Sequence, residues 1–360
     1  MALDELRRLG ATRVKAEYRG ASFSADPAVL YGINYQSRLV TRVLAPLVSF
    51  TCDDRDDIYR AGKSVDWVKF LPVDGTFAIF SNVSGNDQIT HSNFASLCLK
   101  DAVADYYTSR FGIRPNVEKL VPDMWVSLHV EKTRGLISVD TSGGSLHRRG
   151  YRQESVAAPM QEILAAAMVT LSGWRGERPL YDPMCGSGTL LCEAMMAYCR
   201  MPSGYLRKKF GFTRLPDFDR RLWDQVKRTA DQAIRPLPPG LVAGSDVDRG
   251  AIRAAEKNRS LLPGGKEIKV IQRDFNDLNG LENNVILCNP PYGIRMQHPD
   301  DLGEFYKGMG DFLKQRCKGS SAFIFIGNRE MIKRVGLKPS WKRPMKNAGL
   351  DGRLVKYELF

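Results

Sequence analysis

Apolar and polar positions follow two rhythms along the chain. In the first, helical spacing over Leu3–Leu9 and Asp26–Ser37 is interleaved with alternation over Thr12–Tyr18 and Leu39–Phe50. This predicts a small α+β unit across residues 1–50. Asp53 and Asp54 then offer an N-cap for a helix through Ala61, with Trp67 after a short turn. Phe77–Val83 reads as a strand, and Phe94, Leu97, Cys98, Val103 and Tyr106 mark a helix from about Asn93 to Tyr107. Trp125–Val130 and Leu136–Asp140 alternate as a strand pair around a turn at Lys132–Gly135.

The second rhythm fills residues 151–360. Helix Ala157–Leu171, strand Pro179–Asp182, a helix from Thr189, strand Leu241–Ser245 and helix Arg249–Asn258 come first. Strands Ile268–Arg273 and Val285–Cys288, helix Leu302–Cys317, strand Ala322–Gly327 and a last strand Arg353–Leu359 follow. Such βα alternation predicts an open, mainly parallel, doubly wound sheet that binds ligands at the carboxyl ends of its strands.

Composition narrows the function classes. With 43% hydrophobic and 26% charged residues the 360-residue chain is globular and long enough for two or three domains. No run approaches the length of a membrane span, and Met1–Gly10 lacks an apolar signal core, so a soluble cytoplasmic protein is expected. The seven cysteines form no C-x-x-C pair and no histidine spacing accompanies them, so no metal is expected. Oligomeric state stays open. The net charge of +13 points to a polyanionic partner. Residues 1–150 hold 19 basic against 17 acidic residues, and residues 151–360 hold 34 against 23. Stretches 200–235 (10 basic, 4 acidic) and 314–346 (10 basic, 1 acidic) carry most of the excess. For any one such run a solvated face is the commoner explanation.

The candidate chemistry lies at the predicted strand ends. Asn289-Pro290-Pro291-Tyr292 follows the apolar run Val285–Cys288. The lone pair of a nucleobase amine is delocalised into its ring. The Asn289 amide oxygen and the Pro290 carbonyl are two acceptors that would localise it by holding the amine hydrogens, and Tyr292 is a ring on which the base would stack. Asp182-Pro183-Met184-Cys185-Gly186-Ser187-Gly188-Thr189 leaves one strand and enters a helix, so that main chain and ligand can approach closely. A dinucleotide fingerprint would place a third glycine where Leu191 stands, and no G-K-[ST] phosphate loop is present. Asp182 would repel phosphate and tolerate a sulfonium or ammonium group. Asp246 ends the next strand, suited to ribose hydroxyls, and Asp274 ends the third, suited to an adenine amino group. Any one of these aspartates alone reads as a turn or cap residue. Together with the glycine loop and Asn289, in sheet order, they point to S-adenosylmethionine.

These residues make the chain resemble the THUMP-domain RNA guanine-N2 methyltransferases, in particular the RlmL half of the large-subunit ribosomal RNA enzyme. Asp182–Thr189 resembles the family's first cofactor motif and Asn289–Gly293 its catalytic motif. Asp56–Trp67 and the segment Ser142–Arg152 resemble the THUMP region and its exit. The resemblance implies a ferredoxin-like unit over 1–50, a THUMP RNA-binding domain over 51–150 and a Rossmann-like methyltransferase domain over 151–360. It also implies that Asp182, Pro183, Cys185, Gly186, Ser187, Gly188, Thr189, Asp246, Asp274 and Asn289 surround the cofactor, while Asn289, Pro290 and Tyr292 hold the base. Arg148, Arg149 and Arg152 of the exit, with Lys208, Lys209, Lys342 and Arg343 of the basic stretches, are the candidate RNA contacts. The implied product is N2-methylguanosine in 23S ribosomal RNA, with transfer RNA as the alternative substrate. DNA adenine methylation shares the tetrad, but the THUMP-like region favours RNA. A non-catalytic RNA-binding protein would be expected to have lost an essential position, and none is missing here. Family members usually begin with a strand ahead of the first helix, so the amino-terminal unit is expected to be incomplete. Some relatives carry a second methyltransferase half, so one activity is expected. Residues 53–150, with little net charge and few exposed-looking aromatics, are expected to recognise RNA by shape.

Overall fold

The structure, a computed structural model, describes residues 1–18, 20–156, 159–291, 299–347 and 349–360. Helix α1 (Ala2–Arg8), the antiparallel pair β1 (Thr12–Glu17) and β2 (Gly20–Ser24), and α2 (Pro27–Gln36) form the first unit. The strand expected from Leu39 starts only at Leu44. The N–H groups of Arg38 and Leu39 donate to the Glu5 carboxylate (2.9 and 3.0 Å), and that of Val43 donates to Ser142 Oγ (2.8 Å). Donors committed to side chains in this way are not offered to a ladder.

β3 (Leu44–Thr51), α3 (Arg55–Ser64), β4 (Thr76–Ser84), α4 (Ser92–Phe111), β5 (Asn116–Val117), β6 (Met124–Glu131) and β7 (Arg134–Asp140) build a five-stranded sheet of order β3-β7-β6-β4-β5. Asp54 and Asp57 close a capping box on α3, and Gly112 (φ 70°) ends α4. Met124, Val126, Leu128 and Val130 of β6 point into the core with Ile58 and Leu99 of the two helices. The alternate positions face the other way. There Phe80 and Trp125 sit 6.1 Å apart, with the Arg42 guanidinium 4.2 Å and 5.1 Å from their ring centres. Two half-buried aromatics therefore line the face that α3 and α4 leave uncovered. Strand periodicity puts them on one side, which their separation in sequence conceals.

The second half forms α5 (Glu162–Ser172), β8 (Leu180–Asp182), α6 (Thr189–Tyr198), α7 (Arg220–Gln232), β9 (Val242–Asp246), α8 (Arg249–Ser260), β10 (Lys269–Gln272) and β11 (Val285–Cys288). It is completed by α9 (Pro299–Arg316), β12 (Ser321–Ile326), α10 (Met331–Arg334), β13 (Trp341–Asn347) and β14 (Leu350–Glu358). The sheet order is β10-β9-β8-β11-β12-β14-β13, parallel as far as β12 and antiparallel beyond. The order reverses between β8 and β11, where such sheets open a crevice. Helix α5 starts at Glu162, and the expected start at Ala157 lies outside the described residues. Helix α7 had no expected counterpart. Its charged positions leave only a thin stripe of Trp223, Val226 and Ala230, and Asp219 caps it by accepting from Arg221 and Leu222 N–H (2.8 and 3.1 Å).

Two contacts lock the units together. Tyr31 and Tyr35 of α2 pack with Phe210, Phe212 and Trp223 in one aromatic cluster. Gly211 lies so near the end of β7 that a Cβ there would stand 2.0 Å from the Asp140 carbonyl oxygen. Between these, Arg149 is buried. Its Nε donates to Glu193 Oε1 (3.2 Å), Nη1 to Leu146 O (2.7 Å) and Nη2 to Arg38 O (2.6 Å), while the Tyr151 hydroxyl donates to the same Glu193 oxygen (3.1 Å). The expectation that Arg149 contacts RNA is therefore corrected, because every arm of its guanidinium faces an internal acceptor. Arg152 is corrected likewise: it donates to Thr189 Oγ1 (2.9 Å) and to Met160 O, and lies 3.5 Å from Glu162. Removing one member of a buried pair strands the other charge. Arg149→Met should lower stability by about 3–5 kcal/mol, read as a fall in the denaturation midpoint, whereas Arg148→Met at the exposed neighbour should leave that midpoint in place.

Candidate active site

The carboxyl edge of the parallel strands is built as a staircase. Asp182 aligns with Gly244 and Gln272 with Asp246, so each acidic side chain stands two positions farther along than its neighbour. The loop after β8 crosses this edge: Cys185 N–H donates to Ser245 O (2.9 Å), and Gly186 N–H donates to Asp246 Oδ2 (2.8 Å). Asp246 Oδ1 accepts from Asp248 N–H (3.0 Å). Each oxygen of this carboxylate thus accepts one backbone hydrogen and keeps capacity for another. Asp274 accepts from Asn276 N–H (2.8 Å), which directs the short turn after β10.

Around these groups lies a cavity of about 600 Å³, a size suited to a nucleoside-like ligand. Asp182, Pro183, Cys185, Gly186, Ser187, Thr189, Asp246, Asp274, Asn289 and Pro290, all candidates from the sequence, line it. Gly188 does not. It caps α6 at φ 81°, and a Cβ there would meet Ala255 Cβ at 3.2 Å, so its task is to let α6 and α8 approach. Tyr292 lies outside the described residues. The Tyr306 hydroxyl, on a buried residue of α9, donates to Pro291 O (3.4 Å) beside the tetrad.

Apolar wall residues were missed by sequence reasoning. Phe275 and Phe305 line the cavity edge-to-face at 5.8 Å, with Val247 and Met160. Phe275 follows Asp274, and Val247 follows Asp246 and is 64% exposed. An apolar residue directly behind each strand-end acid was the available signal. Phe305 sits in a helix, where helical spacing assigns it to a core.

The electrostatics favour a cationic guest. Asp182 is buried, and burial raises its pKa to about 8 against the hydrogen bond from Met184 N–H (3.1 Å), with the nearby Asp246 charge adding to the rise. A carboxyl held neutral this way gains its charge most readily when a cation arrives beside it. Of the candidate RNA contacts, Arg148, Lys208, Lys209, Lys342 and Arg343 are exposed. Arg207, within the same basic stretch, is not: burial lowers its pKa to about 10, and it donates to the carbonyls of Ser142, Gly144, Ser145 and Arg148 (2.9–3.3 Å). Among the described residues no helix is long and apolar enough to cross a membrane.

Three family models match along the chain. A family described as the RMKL-like methyltransferase domain matches residues 149–356, the THUMP domain matches 52–140 and the RlmL ferredoxin-like domain matches 1–44. A Synechocystis protein with a provisional assignment as an RNA methyltransferase is 40% identical over 362 residues, covering 100% of this chain and 94% of that protein. The ribosomal RNA large subunit methyltransferase K/L of Syntrophotalea carbinolica is 36% identical across 99% of this chain and 51% of its own length. The chain thus spans about half the length of its K/L relatives. The crystal structure of SMU.472, provisionally a methyltransferase and complexed with SAH, superposes with a TM-score of 0.85 at 26% identity, covering 99% of this chain and 94% of that one.

The buried acid also has a pH signature. Because its folded pKa is raised from 3.8 to about 8, the neutral form is favoured in the folded state. Stability is then fully present below pH 4 and is lost as pH rises through about 8. Asp182→Asn keeps an acceptor for Met184 N–H and removes the titration. The variant should gain melting temperature over the parent, more at pH 8 than at pH 5, in thermal scans without ligand; an equal gain at both values would contradict the burial argument.

Proposed function

Since the chain belongs to the RMKL-like methyltransferase family, we propose that it transfers a methyl group from S-adenosylmethionine to the exocyclic N2 amine of a guanine in large-subunit ribosomal RNA. The observation that carries this reading is the convergence of Asp182, Asp246 and Asp274 with Asn289 and Pro290 on one cavity at the strand-order reversal. When bound, S-adenosylmethionine supplies an electrophilic methyl group and a neutral thioether leaving group. The residues present fit it: a buried carboxyl ready to face a cation, a second carboxylate with free acceptor capacity, and apolar walls for a heterocycle.

On this reading the protein's contribution is orientation more than proton transfer. Asp246 accepts from ribose hydroxyls while its other lone pairs hold the glycine loop, so binding and loop shape depend on one side chain. Asp274 and the Phe275–Phe305 pair select and enclose the purine. The Asn289 amide oxygen and Pro290 carbonyl accept the two amine hydrogens of the guanine and aim its lone pair into the cavity. Tyr292 stacks on the flipped base, which offsets an unstacking cost of a few kcal/mol. The THUMP region and the exposed lysines and arginines of the second half position the RNA.

Incubating the protein with labelled cofactor and either ribosomal or transfer RNA, followed by nucleoside analysis, should give N2-methylguanosine from the large-subunit RNA. Label in N6-methyladenosine, or in transfer RNA alone, would refute the assignment. Asn289→Ala should lower transfer at least about 100-fold, the scale of losing one oriented acceptor at the reacting group, with cofactor affinity by calorimetry within a few-fold of the parent. Asp246→Ala should do the reverse, losing cofactor affinity first.

A further inference from the structure

At the opposite end of α6 from the glycine loop lies a second cavity of about 320 Å³, between α1, the exit of α2 and the ends of α5 and α6. Ten residues of helix at about 1.5 Å each separate it from the cofactor loop by roughly 15 Å. Five of its lining residues are Arg8, Arg38, Arg175, Arg200 and Arg235, and its one carboxylate is that of Glu5. Glu5 is buried and already accepts from Ser37 Oγ (2.6 Å), Arg38 N–H (2.9 Å) and Leu39 N–H (3.0 Å).

The guanidiniums are anchored, but on carbonyls. Arg235 Nε donates to Tyr198 O (2.7 Å) and the group lies 3.9 Å over the Tyr198 ring; Arg175 Nη1 donates to Trp174 O (2.8 Å); Arg8 Nε donates to Asp4 O (3.3 Å). Among the described residues, Arg8, Arg175, Arg200 and Arg235 form no ion pair. Such anchoring fixes direction without cancelling charge. Arg200 also adopts φ 56° just past the end of α6, a conformation in which glycine is the usual residue. The carboxyl ends of α5 and α6 attract cations, yet each is equivalent to only about half a negative charge. Arg38 lies 3.9 Å from the buried Glu193 carboxylate, which leaves the other four guanidiniums against Glu5 and the two helix ends, together equivalent to about two negative charges.

We propose that this cavity is a second RNA-contact site, taking consecutive backbone phosphates of the substrate on the side of the catalytic sheet away from the target base. This inference rests on the RNA reading above, and it adds a contact that joins the amino-terminal unit and the catalytic unit across one ligand.

The test uses the full chain and purified large-subunit ribosomal RNA, with affinity measured over a range of salt concentrations. Arg175→Gln/Arg200→Gln/Arg235→Gln should flatten the slope of log affinity against log salt by about 2 to 3, three contacts at about 0.7–0.9 each. Arg200→Gln alone should flatten it by a single contact. Melting temperature and S-adenosylmethionine affinity should stay at parental values, which a purely structural role would not allow. If the parent shows salt-dependent binding and the triple variant keeps its slope, the cavity is not an RNA site and the RNA reading stands. If the parent itself binds this RNA without salt dependence, both fall.

Discussion

A buried ion pair holds the architecture together. Glu193 projects from α6 one turn beyond the glycine loop, and its carboxylate meets Arg149 from the segment between the two halves, with Tyr151 donating to the same oxygen. Arg149 in turn grips Arg38 O and Leu146 O. Two desolvated charges of this kind cost several kcal/mol each unless geometry and hydrogen bonds compensate them. Here the hydrogen bonds to the pair come from three separate parts of the chain and form only when all three are docked, with Arg38 Nη1 3.9 Å from the other Glu193 oxygen. The helix that starts at the cofactor loop is thereby fixed to the amino-terminal unit.

That arrangement changes what a division near residue 150 means. Arg149 and Arg207 show that the exit of the THUMP region is a built-in part of the catalytic unit's surface: one arginine enters its core, and the other gathers four carbonyls of the Ser142–Arg148 loop from the catalytic side. Cleaving the chain at Gly150 would leave Glu193 without its cation. The boundary visible in composition and rhythm is one of sequence style. The physical joint is the shared set of hydrogen bonds.

The parallel sheet, its strand-end acids and the glycine loop were legible because each depends on local signals: apolar runs, turn residues and helix entry. Ten of the candidate cofactor and tetrad residues do line one cavity. What could not be read was set by packing between distant segments. The N–H groups of Arg38 and Leu39 turn away from a strand to meet Glu5, thirty-odd positions earlier. Gly188 looks like a ligand glycine in the motif but serves contact with Ala255. Charge runs were the least informative signal, since Arg149, Arg152 and Arg207 face inward while their neighbours face solvent.

Strand β13 stands last in the order of the large sheet, bonded to β14, and among the described residues no further strand pairs with its outer edge. An open sheet edge invites a strand from another molecule, and long flat apolar edges are where chains stick together. Here that edge reads Lys342-Arg343-Pro344-Met345-Lys346, with three cations and a residue that has no N–H. On the proposed RNA reading, the side chains that would meet a polyanion also repel another copy of the strand, so solubility and RNA affinity would share one stretch of sequence. Selection on either property would then constrain the other.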